Sequence, residues 1–330
     1  MAKFILKRIL WIIPVCLGVL LIVFSISYFA PGDPVMTMLG QNNYTPEAYA
    51  AMEAQMGLDK PFLVQYVNYV VGIVTKFDFG TSYTYGHAVG PEILSRMGIT
   101  LKLGIWSVIA TALIGAPFGI ISATHQYSLS DYIVTIASMF FAAMPNFWLA
   151  MVCIIIFSLK LNLLPPSGMG GIKYMILPVL TNAMGSVAGV CRMSRSSMLE
   201  VIRSDYIRTA RAKGCSERSI IYKHALRNAL IPIMTMVGMQ LGSVVAGSVV
   251  VETIFSIPGL GSYMMNGISS RDYPVINACV LVLAFSICLM NLIVDLGYGL
   301  VDPRIYAQYK KPSKRKKDTK VEKKDGGDEA

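Results

Sequence analysis

Residue types that usually carry chemistry are few and scattered in this chain. The three histidines, His87, His125 and His224, are too far apart in sequence to suggest a metal cluster. Six cysteines (Cys16, Cys153, Cys191, Cys215, Cys279, Cys288) form no C-x-x-C pair and read as small buried hydrophobes, with no disulfide scheme indicated. Neither H-E-x-x-H nor G-x-S-x-G occurs, so hydrolase chemistry has no support and no catalytic or metal residue is assigned. There is no Gly-Lys pair, hence no G-x-x-x-x-G-K-[ST] phosphate loop, and no cofactor is expected on this chain. One segment does concentrate reactive groups. Residues 205–232, "DYIRTARAKGCSERSIIYKHALRNALIP", carry six Arg or Lys against two acids, between two long apolar stretches. Such a run suits docking onto another surface and not bond-making.

The elements that must position this segment belong to a membrane protein. Of the 330 residues 54% are hydrophobic and 15% charged, against about 25% charged in soluble domains. Six windows lack Asp, Glu, Lys and Arg: 9–30, 103–124, 133–159, 174–191, 229–251 and 274–294. Each is close to the roughly 20 residues that span a bilayer as a helix. The fourth is the least apolar, since it holds Pro178, Asn182, Gly185 and Gly189. The runs are continuous and not alternating, which argues against a strand barrel. The fold class predicted is all-α, a polytopic membrane protein with six transmembrane helices. Window 9–30 follows a basic Lys3, Lys7, Arg8 start, as a signal peptide does. It is longer than a signal core and ends at "APGDP" without a small-x-small site, so it reads as a retained first span.

Charge sets orientation. The N-terminus has three basic residues, 192–227 nine and the stretch after Asp295 ten, while 31–99 has three against six acids. The positive-inside rule then places both termini in the cytoplasm and 31–99 outside, in a cell (plasma or inner) membrane. The domain division is 1–30 (cytoplasmic start and first span), 31–99 (extracytoplasmic loop), 100–300 (five-span core) and 301–330 (basic cytoplasmic tail). The tail is low in complexity and reads as disordered, with anionic lipid its nearest partner. The loop has its own signals. Thr45 is an N-cap, Pro46 and Glu47 suit a first turn, and Gly57 reads as a stop. Residues 60–74 form a second helix at the membrane surface, and 77–86 is irregular. Within the spans Pro14, Pro117, Pro145 and Pro178 are breakers, and "GSVVAG" at 242–247 is a candidate close-contact face.

Within 205–232, Tyr206, Ile207 and Ala210 share a helical face while Arg208, Arg211 and Lys213 point elsewhere. Gly214 reads as a stop, Ser216 as the cap of a following helix, and Glu217 as its first-turn acid. A plain interfacial anchor is one reading. The sharp punctuation at Gly214 and the short apolar stripe favour docking into a cleft of another protein.

With these residues in view, "YIRTARAKG…HALRNALIP" closely resembles the cytoplasmic EAA loop of ABC-importer permeases, in its dipeptide/oligopeptide/nickel branch. Gly214 fits the motif glycine. Arg208, Thr209 and Ala210 fill the Glu-Ala-Ala slots, of which only the last matches, and the proline is delayed to Pro232. "APGDPV", "MPNFWLA", "LLPPSG", "VVVETIFSIPGLG" and "LVDPR" agree in the same order. The resemblance covers almost the whole chain except the tail. It implies a type I ABC-importer permease fold with a coupling helix near 205–219, in which Asp205, Tyr206, Arg208, Thr209, Ala210, Arg211, Lys213 and Gly214 meet a cytoplasmic ATPase. It implies a second, non-identical permease, two ABC ATPase subunits that hold ATP and Mg, and an extracytoplasmic solute-binding protein. No nucleic acid partner is expected.

Every span is free of internal carboxylates and no TVGYG filter occurs, which disfavours an ion-coupled carrier or a channel. Asn146, Asn182 and Gln240 are polar groups in or beside spans and are expected to face a translocation path. Met236 and Met239 would add an adaptable lining, with packing or lipid contact as the plainer alternative. Glu252, at a span end, is a candidate outer gate or binding-protein contact, or else a hydrated end-of-span charge. Peptide uptake is the leading function. Nickel or another small solute through the same machinery, and a receptor or scaffold that recruits a partner by its basic loop, remain as alternatives.

Overall fold

The computed structural model describes residues 2–39 and 45–301. The tail expected at 301–330 lies outside the described residues from 302 onward. All regular structure among the described residues is helical: α1 (Ala2–Phe29), α2 (Pro34–Leu39), α3 (Pro46–Met56), α4 (Phe62–Lys76), α5 (Val89–Thr124), α6 (Leu129–Ala143), α7 (Asn146–Cys153), α8 (Ile172–Ile202), α9 (Asp205–Ala212), α10 (Glu217–Ser219), α11 (Leu226–Ile254), α12 (Leu260–Ser270) and α13 (Tyr273–Val301). π-helical turns extend α7 (Ile154–Lys160) and join α10 to α11 (Ile220–Ala225).

Five helical stretches are long and apolar enough to cross a bilayer, namely those of α1, α5, α8, α10 through α11, and α13. The sixth sequence window is different in kind. It breaks at Met144–Pro145, and the helices on either side meet at 105°. Pro145 has no N–H to continue α6, and Met144 before it is pushed to extended backbone (ψ 130°). The described residues thus offer five unbroken candidate spans and one bent pair, which makes six if the pair is one span. Pro14, Pro117, Pro178 and Pro232 are instead carried inside helices, as packed membrane helices allow.

The core is α5, α8 and α11, with α13 packed on α11 and α1 on α13. Only 6% of the apolar stretch of α1 is buried, so it is peripheral. The corresponding figure for α8 is 50%, which makes the least apolar span the central one. The reason is that α8 meets protein and not lipid. Lipid tails provide no hydrophobic drive for helix pairing, so close packing of small residues takes over. A side chain at Gly119 of α5 would collide with the carbonyl of Cys191 and with Ser194, and one at Gly115 with Val190.

Residues 31–39 and 45–88 form a small cap at one end of the bundle. Thr45 accepts from the Ala48 N–H, and Gly57 closes α3 in left-handed backbone (φ 68°), both as the sequence signals. α4 lies against α1 through Phe62 and Tyr66 on Phe24, and exposes Leu63, Val67, Val71 and Val74 along one stripe. The 77–88 loop is tied down from across the molecule. Asp272 accepts hydrogen bonds from the Ser82 hydroxyl and from the N–H groups of Tyr83 and Thr84. Burial and that carboxylate together push the Tyr83 phenol up.

Candidate functional sites: a basic elbow and a polar seam

At the opposite end of the core, α9 projects from the end of α8 as an elbow. Ser204 stands at its N-cap in extended backbone, although its hydroxyl bonds the Val201 carbonyl. Asp205 lies in the first turn and Arg211 in the last, which suits the helix dipole. Gly214 sits at φ 81° with open space where a side chain would project, so its role is conformational. Its N–H returns to the Arg211 carbonyl and the Cys215 N–H to Ala210. Arg211 then reaches across the turn to Glu217 with two hydrogen bonds, at 2.7 and 3.2 Å. That carboxylate raises the Arg211 pKa further, so the guanidinium stays charged. Glu217 is thus engaged, while Ser216 occupies the expected cap position without making a side-chain cap bond.

The elbow has two faces. Ile207 is fully buried, in a cluster with Met198, Ile220, Ala225, Ala229 and Ile233. Burial of such a side chain contributes about 2 kcal/mol. Ala210 packs at the margin of this cluster. Tyr206, expected on the same face, is about half exposed and accepts a hydrogen bond from Asn228 of α11. Asp205, Arg208, Thr209, Arg211, Lys213 and Gly214 are all exposed. The buried face therefore fastens the elbow to both α8 and the base of α11. The exposed face presents its charge outward.

Further along the core, α7, α8 and α11 meet at a polar seam. The Asn146 carboxamide lies against Gly185 of α8 and Gly247 of α11. Asn182 is buried, lies beside Gly247 and donates to the Val244 carbonyl at 3.4 Å. Two turns of α8 on from Asn182, Met236 and Gln240 pack over Gly189. Four of the five expected path residues thus share one line along α8. Met239 is 62% exposed and is not among the side chains nearest Gly185, Gly189 or Gly247. "GSVVAG" does make close contacts, with Gly242 against Asn291 of α13 and Gly247 on the seam.

Glu252 requires a correction. It is neither hydrated nor accessible as an outer contact, being 0% exposed. Thr100 (2.7 Å) and Ser248 (3.1 Å) donate to one carboxylate oxygen. The N–H groups of Gly261 (2.7 Å) and Ser262 (3.1 Å) donate to the other. These are first-turn groups of α12, and the Leu260 N–H is taken by Thr100. Glu252 is therefore the cap of the next helix, where a carboxylate meets the positive end of the dipole. A side chain at Gly259 or Gly261 would overlap the carboxylate, which explains the glycines of "ETIFSIPGLG".

One feature was missed in the sequence. Asp131 of α6 accepts two 2.9 Å hydrogen bonds from Arg195 of α8, and a third from Ser122 of α5. The pair braces the elbow end of the core. Ser128, three residues before Asp131, does cap α6, but nothing in the sequence signals which of nine basic residues Asp131 would meet.

Similarity to known proteins agrees with this geometry. Residues 115–306 match the family described as "binding-protein-dependent transport system inner membrane component", and residues 1–104 match its N-terminal counterpart. The dipeptide transport system permease protein of Escherichia coli (strain K12) is 38% identical, covering 92% of this chain and 99% of its own length. The oligopeptide transport system permease protein of Bacillus subtilis (strain 168) and the glutathione transport system permease protein of Salmonella choleraesuis (strain SC-B67) are each 40% identical with the same coverage. Among solved structures, a methionine ABC transporter in an inward-facing conformation superposes with a TM-score of 0.56 at 19% identity, covering 64% of this chain and 96% of that one. This likeness shows the type I importer permease fold. The chain belongs to the binding-protein-dependent transport system inner membrane component family, as a multi-pass ABC-importer permease.

Proposed function

We propose that this chain is the transmembrane permease subunit of an ATP-driven, binding-protein-dependent importer of di- or oligopeptides. The observation that carries the reading is end-to-end similarity to dipeptide and oligopeptide permeases. The elbow supplies the mechanical part. Both termini and the elbow lie in the cytoplasm, as the basic residues favour. Two ATPase subunits carry ATP and Mg, and one of them receives the exposed face of α9 through Asp205, Arg208, Thr209, Arg211 and Lys213. A second, non-identical permease completes the path, and a solute-binding protein delivers peptide from outside.

The buried face of α9 makes this docking useful. Because Ile207 is packed against both α8 and the base of α11, a push on the elbow reaches both helices. The seam along α8 is a natural place for them to part, since Gly185, Gly189 and Gly247 carry no side chains to interlock. Asn146, Asn182, Met236 and Gln240 would then line the path and meet peptide backbone groups. The permease makes and breaks no covalent bond, so each docked ligand acts by favouring one arrangement over another.

The test is ATP hydrolysis by the complete complex in liposomes. Binding protein loaded with dipeptide stimulates hydrolysis in the wild type. Gly214→Pro, which cannot adopt φ 81°, abolishes the stimulation while the complex still assembles. Unchanged stimulation in that variant would remove α9 as the coupling element.

A further inference from the structure

α4 has three sides. Phe62, Tyr66 and Tyr69 turn toward α1, with ring centroids 5.8, 5.7 and 5.9 Å from that of Phe24. Gln65 and Asn68 border a cleft that Asp33, Glu53 and Asp78 also border, so this side meets water. The third side is apolar: Leu63 is 67% exposed and Val74 72%, with Val67 and Val71 between them about half exposed. Those four residues recur at i, i+4, i+8 and i+11, which is one face of a helix. From Pro61 to Thr75 the segment has no charged residue, while Lys60 and Lys76 flank it. An exposed aliphatic stripe of this kind is a liability in water.

The contacts with α1 set the depth of α4. The apolar stretch of α1, Ile5–Phe29, is long enough to cross the bilayer and only 6% of it is buried, so its free surface faces lipid. Phe24 lies five residues before the end of α1, about 8 Å along the helix axis. The Tyr66 hydroxyl reaches deeper and donates to the Leu17 carbonyl at 3.0 Å. α4 therefore lies below the level of that end of α1 and not above the bilayer, and its stripe continues the lipid-facing surface of α1. Amphipathic interfacial helices sit roughly 5–10 Å into the boundary of headgroups and acyl chains, which agrees with the depth of Phe24. Lys60 and Lys76 are both exposed, and long basic side chains at the two ends of such a helix reach the headgroup phosphates.

We propose that α4 is an interfacial helix seated in the outer leaflet, with Leu63, Val67, Val71 and Val74 against acyl chains and Gln65 and Asn68 toward water. The occupant of the stripe is lipid, and neither the second permease nor the solute-binding protein. The surface helix expected from the sequence thus gains a depth, a rotation and a lipid-facing side. The 77–88 loop that follows is then held from one side by Asp272 and from the other by a helix that the bilayer fixes. The proposal stands whichever solute is carried, and takes from the importer reading only the orientation that makes this leaflet the outer one.

The experiment is photocrosslinking in the complete transporter, with its solute-binding protein, in phosphatidylcholine nanodiscs. p-Benzoylphenylalanine replaces Val67, Val71 or Asn68 singly, and intact mass spectrometry of this chain reads the adducts. Illumination adds the mass of one phospholipid at position 67 and at position 71, and none at position 68. Smaller substitutions give a second reading. Val67→Cys and Val71→Cys are protected from a charged maleimide added from outside, whereas Asn68→Cys is labelled, each counted above the labels taken up by the wild-type chain. Crosslinks from position 67 or 71 to the second permease or to the solute-binding protein make the stripe a protein contact and overturn the proposal. Absence of lipid adducts at both positions, or labelling there equal to that at position 68, overturns it too. Solute-stimulated ATP hydrolysis is read on the same nanodiscs. Its absence sinks the importer reading and leaves the lipid adducts to decide the seat of α4.

Discussion

The two ends of the α5–α8–α11 core each bury a carboxylate, and each satisfies it by a different device. At the elbow end Asp131 meets a cation, in a two-pronged pair with Arg195 that joins α6 to α8. At the other end Glu252 meets only neutral donors among the described residues, two hydroxyls and two backbone N–H groups of α12. A side-chain pair can be removed whole by a second substitution. A backbone cap cannot, because the N–H groups remain whatever the sequence. The elbow end is therefore held mainly by an exchangeable ion pair, with one backbone N–H from Tyr127 added to it, and the far end by neutral donors alone among the described residues.

That contrast breaks most sharply at Glu252. Glu252→Ala strands four donors and lowers stability by about 4 kcal/mol. Glu252→Gln, which keeps an acceptor, costs about half as much. Unfolding of the purified protein in mixed micelles measures both, and equal losses would show that the hydrogen-bond cage does not hold the α11–α12 corner. The next largest effect is at Asp131. Asp131→Ala leaves the Arg195 guanidinium without its partner and costs about 2–3 kcal/mol, less than for a sealed pair because Arg195 is partly exposed. Adding Arg195→Met recovers part of the loss, the rest staying with the Ser122 hydroxyl and Tyr127 N–H that also donate to Asp131. Strict additivity of the two substitutions in the same unfolding assay would refute the brace. The smallest effect belongs to the elbow turn. Gly214→Ala places a side chain at φ 81° in otherwise open space and costs about 1 kcal/mol. No change in the same measurement would mean that the turn relaxes freely.

Legibility followed the same division. The elbow is built from local signals, and the sequence located its glycine stop at Gly214, the first-turn acid Glu217 of the helix that follows and the exposed cations. Thr45 and Gly57 in the cap region were legible for the same reason, since each acts on backbone only a few residues away. The burial of Glu252 was not legible because three of its four donors come from α5 and from the far side of a turn. Asp131 went unnoticed because its partner is 64 residues away. Met236 and Met239 looked equivalent as sequence, yet one packs over Gly189 and the other is exposed.

By itself the sequence determined that the chain is helical and membrane-embedded, how many apolar stretches it has, and where short-range caps and stops fall. Those properties depend on hydropathy and on groups within a turn or two of each other. Only the tertiary structure decided which span is central, that the stretch around Pro145 is bent by 105°, and which polar groups are sealed. The physical reason is that lipid and a neighbouring helix are both apolar, so the pattern along one helix cannot say which of them it faces. Small residues mark close contact, but only the folded arrangement of α5, α8 and α11 chooses the partner.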